Sequence, residues 1–330
     1  MRLNNTHPVA LWFILIFPFY AVLQAPAWAA GKEITPLRKT HANEDTVIII
    51  RSQSIAAYNE AIKGFEEGCK EENITIRAIY DLKGDADEGK RVVQNIKGDK
   101  LKPKLILAIG VLAATLVKEQ FTDIPIIFCM VINHERFNLQ GTNITGISSE
   151  ASLEDQFTLL KEILGKHKNV GVIYDPIKTG KIISEATIVA KKIEFNLIKT
   201  EVSYEKEVAS ALKNIINKID ALWMIPDGTV ITKDSLDIIF RMTLKKHLPT
   251  FCTSSAIVKA GALISISPDY VYTGLQAAQL AKTLLHDAAT GSLGIKQPEK
   301  LKLTLNTQTA EIIGINLSSI TSRANIVLYP

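Results

Sequence analysis

The residues whose types and spacing best suit chemistry are Asp227, Gly228 and Thr229, which follow a short apolar run over 221–225 that stops at Pro226. Proline cannot donate to a sheet ladder, so the strand ends there. Asp-Gly then reads as a turn, and a helix with a Thr or Asp start signal comes next. In a parallel α/β sheet this puts a carboxylate, a hydroxyl and a helix N-terminus at the carboxyl edge of a strand, where open α/β folds bind ligands. An ammonium group would find a charge-assisted partner in Asp227. The competing reading is an Asx-turn that only holds the loop.

Similar edges recur along the chain. Ser52, Gln53 and Ser54, with Tyr58, offer hydroxyls and an amide where a helix begins, a setting suited to a carboxylate or other anion. The alternative is that Ser52 or Ser54 merely caps that helix. Gly110, followed by Val111, permits close backbone approach or simply a tight turn. Asp175, before Pro176, and Thr179 occupy the matching position later in the chain, where Asp-Pro also reads as a plain turn. Ser254 follows the next strand, and Asp269 precedes Tyr270 as a ligand group or a helix cap.

Several function classes are disfavoured. The six histidines are scattered, and none pairs with Cys, Asp or Glu at metal-binding spacing. The chain contains neither a Gly-x-Ser-x-Gly elbow nor a phosphate-cradling Gly-x-x-x-x-Gly-Lys. No catalytic residue, metal or cofactor is therefore expected. The net charge of +4 is small, and lysines alternate with acids at helical spacing, which reads as solvated faces rather than a nucleic-acid stripe. Cys69, Cys129 and Cys252 read as buried free thiols; a Cys129–Cys252 disulfide is the alternative.

The elements that must position these residues alternate with the spacing of βαβ units. Strands are expected over 46–51, 74–80, 105–109, 124–130 and 144–148, with helices between them. The pattern restarts with a helix through Leu153 and Leu164 and strands over 170–174, 197–202, 221–225 and 250–253. A helix is expected over 182–193 between the first two of these. The tail, with strands over 261–267 and 301–305 and helices over 270–289 and 309–313, has no core of its own. It fits as chain recrossing between two doubly wound lobes, with connections near 145–150, 262–268 and 301–306. Several parallel connections make a hinge.

At the N-terminus, Arg2, the apolar run 9–23 and Ala27-Trp28-Ala29 read as a secretory signal peptide over residues 1–29, followed by a polar leader over 30–45. An uncleaved membrane anchor is the alternative. The mature chain is expected in the periplasm.

Five groups of residues carry a family resemblance: 169–176 (Asn-Val-Gly-Val-Ile-Tyr-Asp-Pro), 220–227 (Asp-Ala-Leu-Trp-Met-Ile-Pro-Asp), 258–265 (Val-Lys-Ala-Gly-Ala-Leu-Ile-Ser), Pro268-Asp-Tyr with 274–278, and Leu305-Asn-Thr with 309–311. In order and spacing these resemble the ABC transporter substrate-binding proteins of type I periplasmic binding protein fold, the family that includes tryptophan-binding members. The resemblance covers residues 46–327. It implies an N-terminal lobe of 46–146 plus 267–302, a C-terminal lobe of 147–266 plus 303–330, and a three-crossing hinge. It also implies a monomer without catalysis that hands a small, amino-acid-like molecule to an ABC permease. The loop from Arg51 to Tyr58 departs from that of the tryptophan binders, so their ligand is not carried over. A ligand-sensing partner of a membrane signalling protein would need the same fold, and an exported hydrolase is the more distant alternative.

Overall fold

Apolar runs such as Val47–Ile50 and Leu105–Ile109 are buried on both faces, the burial expected of strands in a parallel sheet covered by helices. The computed structural model describes residues 46–286, 291–321 and 326–329. The expected signal peptide and leader lie outside them. In chain order come β1 (Thr46–Arg51), α1 (Ala56–Glu71), β2 (Thr75–Asp81), α2 (Ala86–Gly98), β3 (Leu105–Ile109), α3 (Val111–Gln120), β4 (Ile126–Val131) and β5 (Ile144–Ser148). A 3-10 turn, His134–Phe137, separates the last two. The second series is α4 (Leu153–Leu164), β6 (Asn169–Tyr174), α5 (Pro176–Ile193), β7 (Asn196–Glu201), α6 (Val208–Ile215), β8 (Ala221–Met224), α7 (Lys233–Lys245), β9 (Thr250–Cys252), α8 (Ser255–Lys259) and β10 (Ile264–Pro268). The tail supplies α9 (Tyr270–His286), β11 (Ile295–Lys296), β12 (Leu301–Asn306), α10 (Thr307–Ile313), α11 (Ser318–Thr321) and β13 (Ile326–Tyr329).

These strands form two sheets, ordered β11-β5-β4-β3-β1-β2 and β13-β12-β10-β9-β8-β6-β7. All pairings are parallel except β10 with β12. Each sheet runs outward in one direction from its first strand and then in the other, so each has a switch point: β1/β3 in the first, β6/β8 in the second. The chain passes between the sheets after β5, after β10 and after β11. The last two passages are tied together, because Asp269 N–H donates to Lys300 C=O at 2.9 Å. Gln276 of α9 adds a bond from its amide nitrogen to Gln297 C=O, also at 2.9 Å.

Period-two alternation divides the core of the first sheet. Val47, Ile49, Leu105 and Leu107 face α1 and α9, while Ile48, Ile50, Ile106 and Ala108 face α2 and α3. Helices α1 and α9 meet so closely that a Cβ on Gly64 would lie 1.8 Å from Val271 O, and one on Gly274 2.0 Å from Ala61 O.

Several elements differ from expectation. Helix α5 starts at Pro176, not Ile182: the Asp175 carboxylate caps it by accepting from Ile177 N–H, and proline suits the first turn. The strand expected from Gly261 begins at Ile264, because α8 ends at Lys259 and Gly261 turns the chain at φ +132°. Strands β11 and β13 and helix α8 had no clear sequence signal, being two, four and five residues long. The helix expected over 270–289 is described to His286, and its last three residues lie outside the described set. All three cysteines are buried free thiols, and burial pushes each thiol up to about 12. Among the described residues, no helix is long and apolar enough to cross a membrane.

Candidate functional site

At the first switch point the end of β1 is pinned to the start of α3. Ser52 is buried; its hydroxyl donates to Ile109 C=O and accepts from Ala113 N–H, each at 3.0 Å. Its own N–H reaches the same carbonyl at 2.8 Å. Ser52 thus stitches β1 to β3 and does not cap α1, whose N-cap, Ile55, makes no side-chain cap bond. The amide groups of that first turn face the carboxyl edge of the sheet without a capping side chain. Gly110 adopts φ +86°, and a Cβ there would lie 2.6 Å from the Tyr58 hydroxyl and 2.7 Å from Ser52 Oγ. The sequence-named Ser52, Tyr58 and Gly110 are therefore one packed cluster, with burial raising the Tyr58 hydroxyl above its ordinary range. Gln53 and Ser54 are exposed beside it and Val111 is half-buried.

The second switch point is closed by a denser network. Asp227 is fully buried. Its Oδ2 accepts from Asp175 N–H at 2.8 Å and the Thr179 hydroxyl at 2.6 Å, and its Oδ1 accepts from Thr229 N–H at 2.8 Å. The Thr229 hydroxyl donates to Asp175 Oδ2 at 2.7 Å and accepts from Lys178 Nζ at 2.6 Å. The Thr229 bond is the main cause holding the Asp175 carboxyl below its usual range, with Ile177 N–H adding to it. Sequence-named Asp175, Thr179, Asp227 and Thr229 thus meet across as many as 54 residues of chain, and in this arrangement they bond to one another. Gly228 is exposed at the tip of the turn. Ser254 caps α8 by accepting from Ala256 N–H, and Asp269 accepts from Tyr272 N–H in the first turn of α9.

Between the lobes lies a cavity of about 270 Å³, just below the usual range of small-molecule sites, about 300–1,000 Å³. From the first lobe it is lined by Asn133 and His134, and from the second by Ile182, Ile225, Pro226 and Thr253. Two passages between sheets complete the wall with Glu150 and Gln297. None of the residues named from sequence lines it, although Pro226 and Thr253 are chain neighbours of Asp227 and Ser254. Glu150 is half-buried and accepts one bond, from Asn133 N–H at 3.2 Å. Burial raises its carboxyl above the usual range, and the nearby Glu135 adds to the rise. His134 is held below its ordinary value by burial, and its Nδ1 finds no hydrogen-bond partner. A signal for Glu150 did exist: one carboxylate in the short connector between a fully buried strand and the Ser152 N-cap of α4. Across the cleft mouth, Lys181 of α5 pairs with Glu135, and the Asn133 side chain reaches Lys178 C=O at 3.5 Å. Among the described residues no group of His, Cys, Asp and Glu could hold a metal ion.

The chain matches the ABC transporter substrate binding protein family over residues 46–327. It is 25% identical over 259 residues to a tyrosine-binding protein of Clostridioides difficile (strain R20291), an alignment covering 76% of this chain and 73% of that one. In structure it is similar to the ligand-free, open form of a substrate binding protein with adhesive properties from Clostridium difficile, with TM-score 0.75, 21% identity, and 86% and 99% of the two chains covered. It is also similar to the ABC domain in complex with L-Trp from Streptococcus pneumonia, with TM-score 0.64, 19% identity, and 87% and 100% covered. The fold is that of the type I periplasmic binding proteins.

Proposed function

The chain belongs to the ABC transporter substrate-binding protein family, and from that premise we propose that it captures a small, amino-acid-like solute between its lobes for delivery to a membrane permease. The observation that carries this reading is the cavity of about 270 Å³ walled by both lobes and by the passages between them. A ligand held there contacts both sides of the hinge, so it favours the closed arrangement by its differential contacts. The named ligands of the relatives, tyrosine and L-Trp, support an α-amino acid as the class. The uncapped first turn of α1 offers backbone N–H groups and a positive helix end to an anionic portion of a ligand entering the cleft. In this reading the protein is exported by its N-terminal signal, acts as a monomer and performs no catalysis.

A thermal-shift screen of the purified full chain against the L-amino acids, nucleosides and small organic acids tests the proposal. A ligand at one hundred times its dissociation constant stabilises the protein by about 2.7 kcal/mol. An L-amino acid is the expected hit. Silence across the panel, with no small molecule released on denaturation, overturns the reading.

A further inference from the structure

The walls of the interlobe cavity carry an excess of negative charge that protein cations only partly balance. Glu135, Glu150, Glu154 and Glu185 all line it. Lys181 pairs with Glu135 and, at 3.9 Å, with Glu185, and Glu154 is exposed in the acidic first turn of α4, where the helix end favours a carboxylate. Glu150 differs from these three. It is half-buried and has no ion pair among the described residues, with a single backbone N–H as hydrogen-bond donor. A carboxylate withdrawn from water ordinarily has a cationic partner or several donors, since an unpaired buried charge is costly. The backbone also fixes where it points into the fold: the Glu150 N–H reaches Ser148 Oγ at 3.4 Å, and Asn133, with φ +50°, presents the N–H that holds its carboxylate. Close by, Ala151, Leu153, Ile182, Ile225 and Pro226 give the same cavity an apolar wall.

We propose that Glu150 is the counter-ion for the ammonium group of the ligand, with the apolar wall receiving the ligand's side chain. The proposal rests on the reading of the chain as an amino-acid receptor and adds the residue that selects for the ammonium. It also moves that role away from Asp227, whose carboxylate already accepts three bonds from the protein. Because Glu150 lies in the first passage between sheets, the ligand charge is read beside the hinge, and pairing there links occupancy to the angle between the lobes.

Calorimetric titration of the full chain and of Glu150→Gln with L-tyrosine, L-tryptophan, tyramine and N-acetyl-L-tyrosine tests this. Loss of a charge-assisted pair is expected to weaken binding of whichever amino acid the wild type takes by roughly 10–100-fold. N-acetyl-L-tyrosine, which lacks the charge, is expected to bind the wild type weakly and to gain nothing from Glu150. Tyramine affinity separates recognition of the ammonium alone from recognition that also needs the carboxylate. The unliganded melting temperature of Glu150→Gln is expected to be at least that of the wild type, which separates a lost contact from a lost fold. If Glu150→Gln binds the amino acid as tightly as the wild type, the inference is overturned and the receptor reading stands. If the wild type takes only solutes without an ammonium group, the inference is overturned and the ligand class changes. If the wild type binds nothing, both fall.

Discussion

At the end of β1 a single hydroxyl bridges the gap to β3, whereas at the end of β6 two carboxylates, two threonines and a lysine bridge the equivalent gap to β8. The topology of the two lobes is the same over their first five strands, so the difference belongs to the side chains alone. Ser52 leaves its surroundings open: Gln53 and Ser54 are exposed and the first turn of α1 is uncapped. The Asp175–Asp227 network does the reverse and satisfies its own polar groups, with α5 capped by one of its members. One switch point leaves the first turn of its helix without a capping side chain, and the other ties its polar groups to one another. The unbalanced carboxylate lies at neither, but at Glu150 beside the hinge.

This comparison can be broken by substitution, beginning where the expected effect is largest. Asp227→Ala leaves Asp175 N–H and Thr229 N–H without acceptors and the Thr179 hydroxyl with only the Asp175 C=O at 3.3 Å, and is expected to lower unfolding stability by about 3 kcal/mol. Urea denaturation checks it; an unchanged midpoint would show that the network is not a structural wall. Gly110→Ala forces a Cβ onto Ser52 and Tyr58 at a backbone angle that L-residues rarely adopt. A loss of about 2 kcal/mol is expected in the same assay. Ser52→Ala removes one hydroxyl and orphans Ala113 N–H, for about 1–2 kcal/mol. A loss equal to that of Asp227→Ala would erase the contrast between the lobes.

The smallest effect concerns pH. Glu150 has its folded-state carboxyl raised by burial, so the folded chain holds the proton more tightly than the unfolded chain. Stability of the ligand-free protein should then fall as pH rises from the ordinary carboxylate range through the elevated one. The titratable neighbours facing this cavity are Glu135, Glu154 and Glu185, with Lys181 pairing with the first and last of them, and His134, whose imidazole burial holds below its ordinary value. Glu150→Gln should flatten that limb in melts recorded across the acid range, and an unchanged profile would assign it elsewhere. Asp175 has the opposite sign: its carboxyl is lowered, so its contribution is present above the ordinary carboxylate range and lost as pH falls through the lowered value. Thr229→Val, which removes the main cause of that lowering, should move the acid limb toward neutral pH.

Local pattern made much of the fold legible. Strands β1, β3 and β5 have the expected ends, because short runs dominated by apolar or small residues and bounded by polar or glycine-containing segments leave little choice. Helix α5 began earlier than its apolar periodicity because an Asp-Pro pair reads equally as a turn and as an N-cap with its first helical residue. Short strands such as β11 exist only because a neighbour offers an edge, here β5, and two residues carry no period.

Local sequence pattern is enough to set the two doubly wound units, the order of their strands along the chain and which loops fall at the carboxyl edges. Those follow from hydrophobic periodicity, proline and glycine, which act over a few residues. Tertiary structure alone decided what each edge residue does. Asp227 faces partners 48 and 52 residues away, Ser52 one 61 residues away, and Glu150 meets the loop after β4 across 17. A carboxylate's role depends on whether donors surround it, and that is set by the packing of loops distant in sequence.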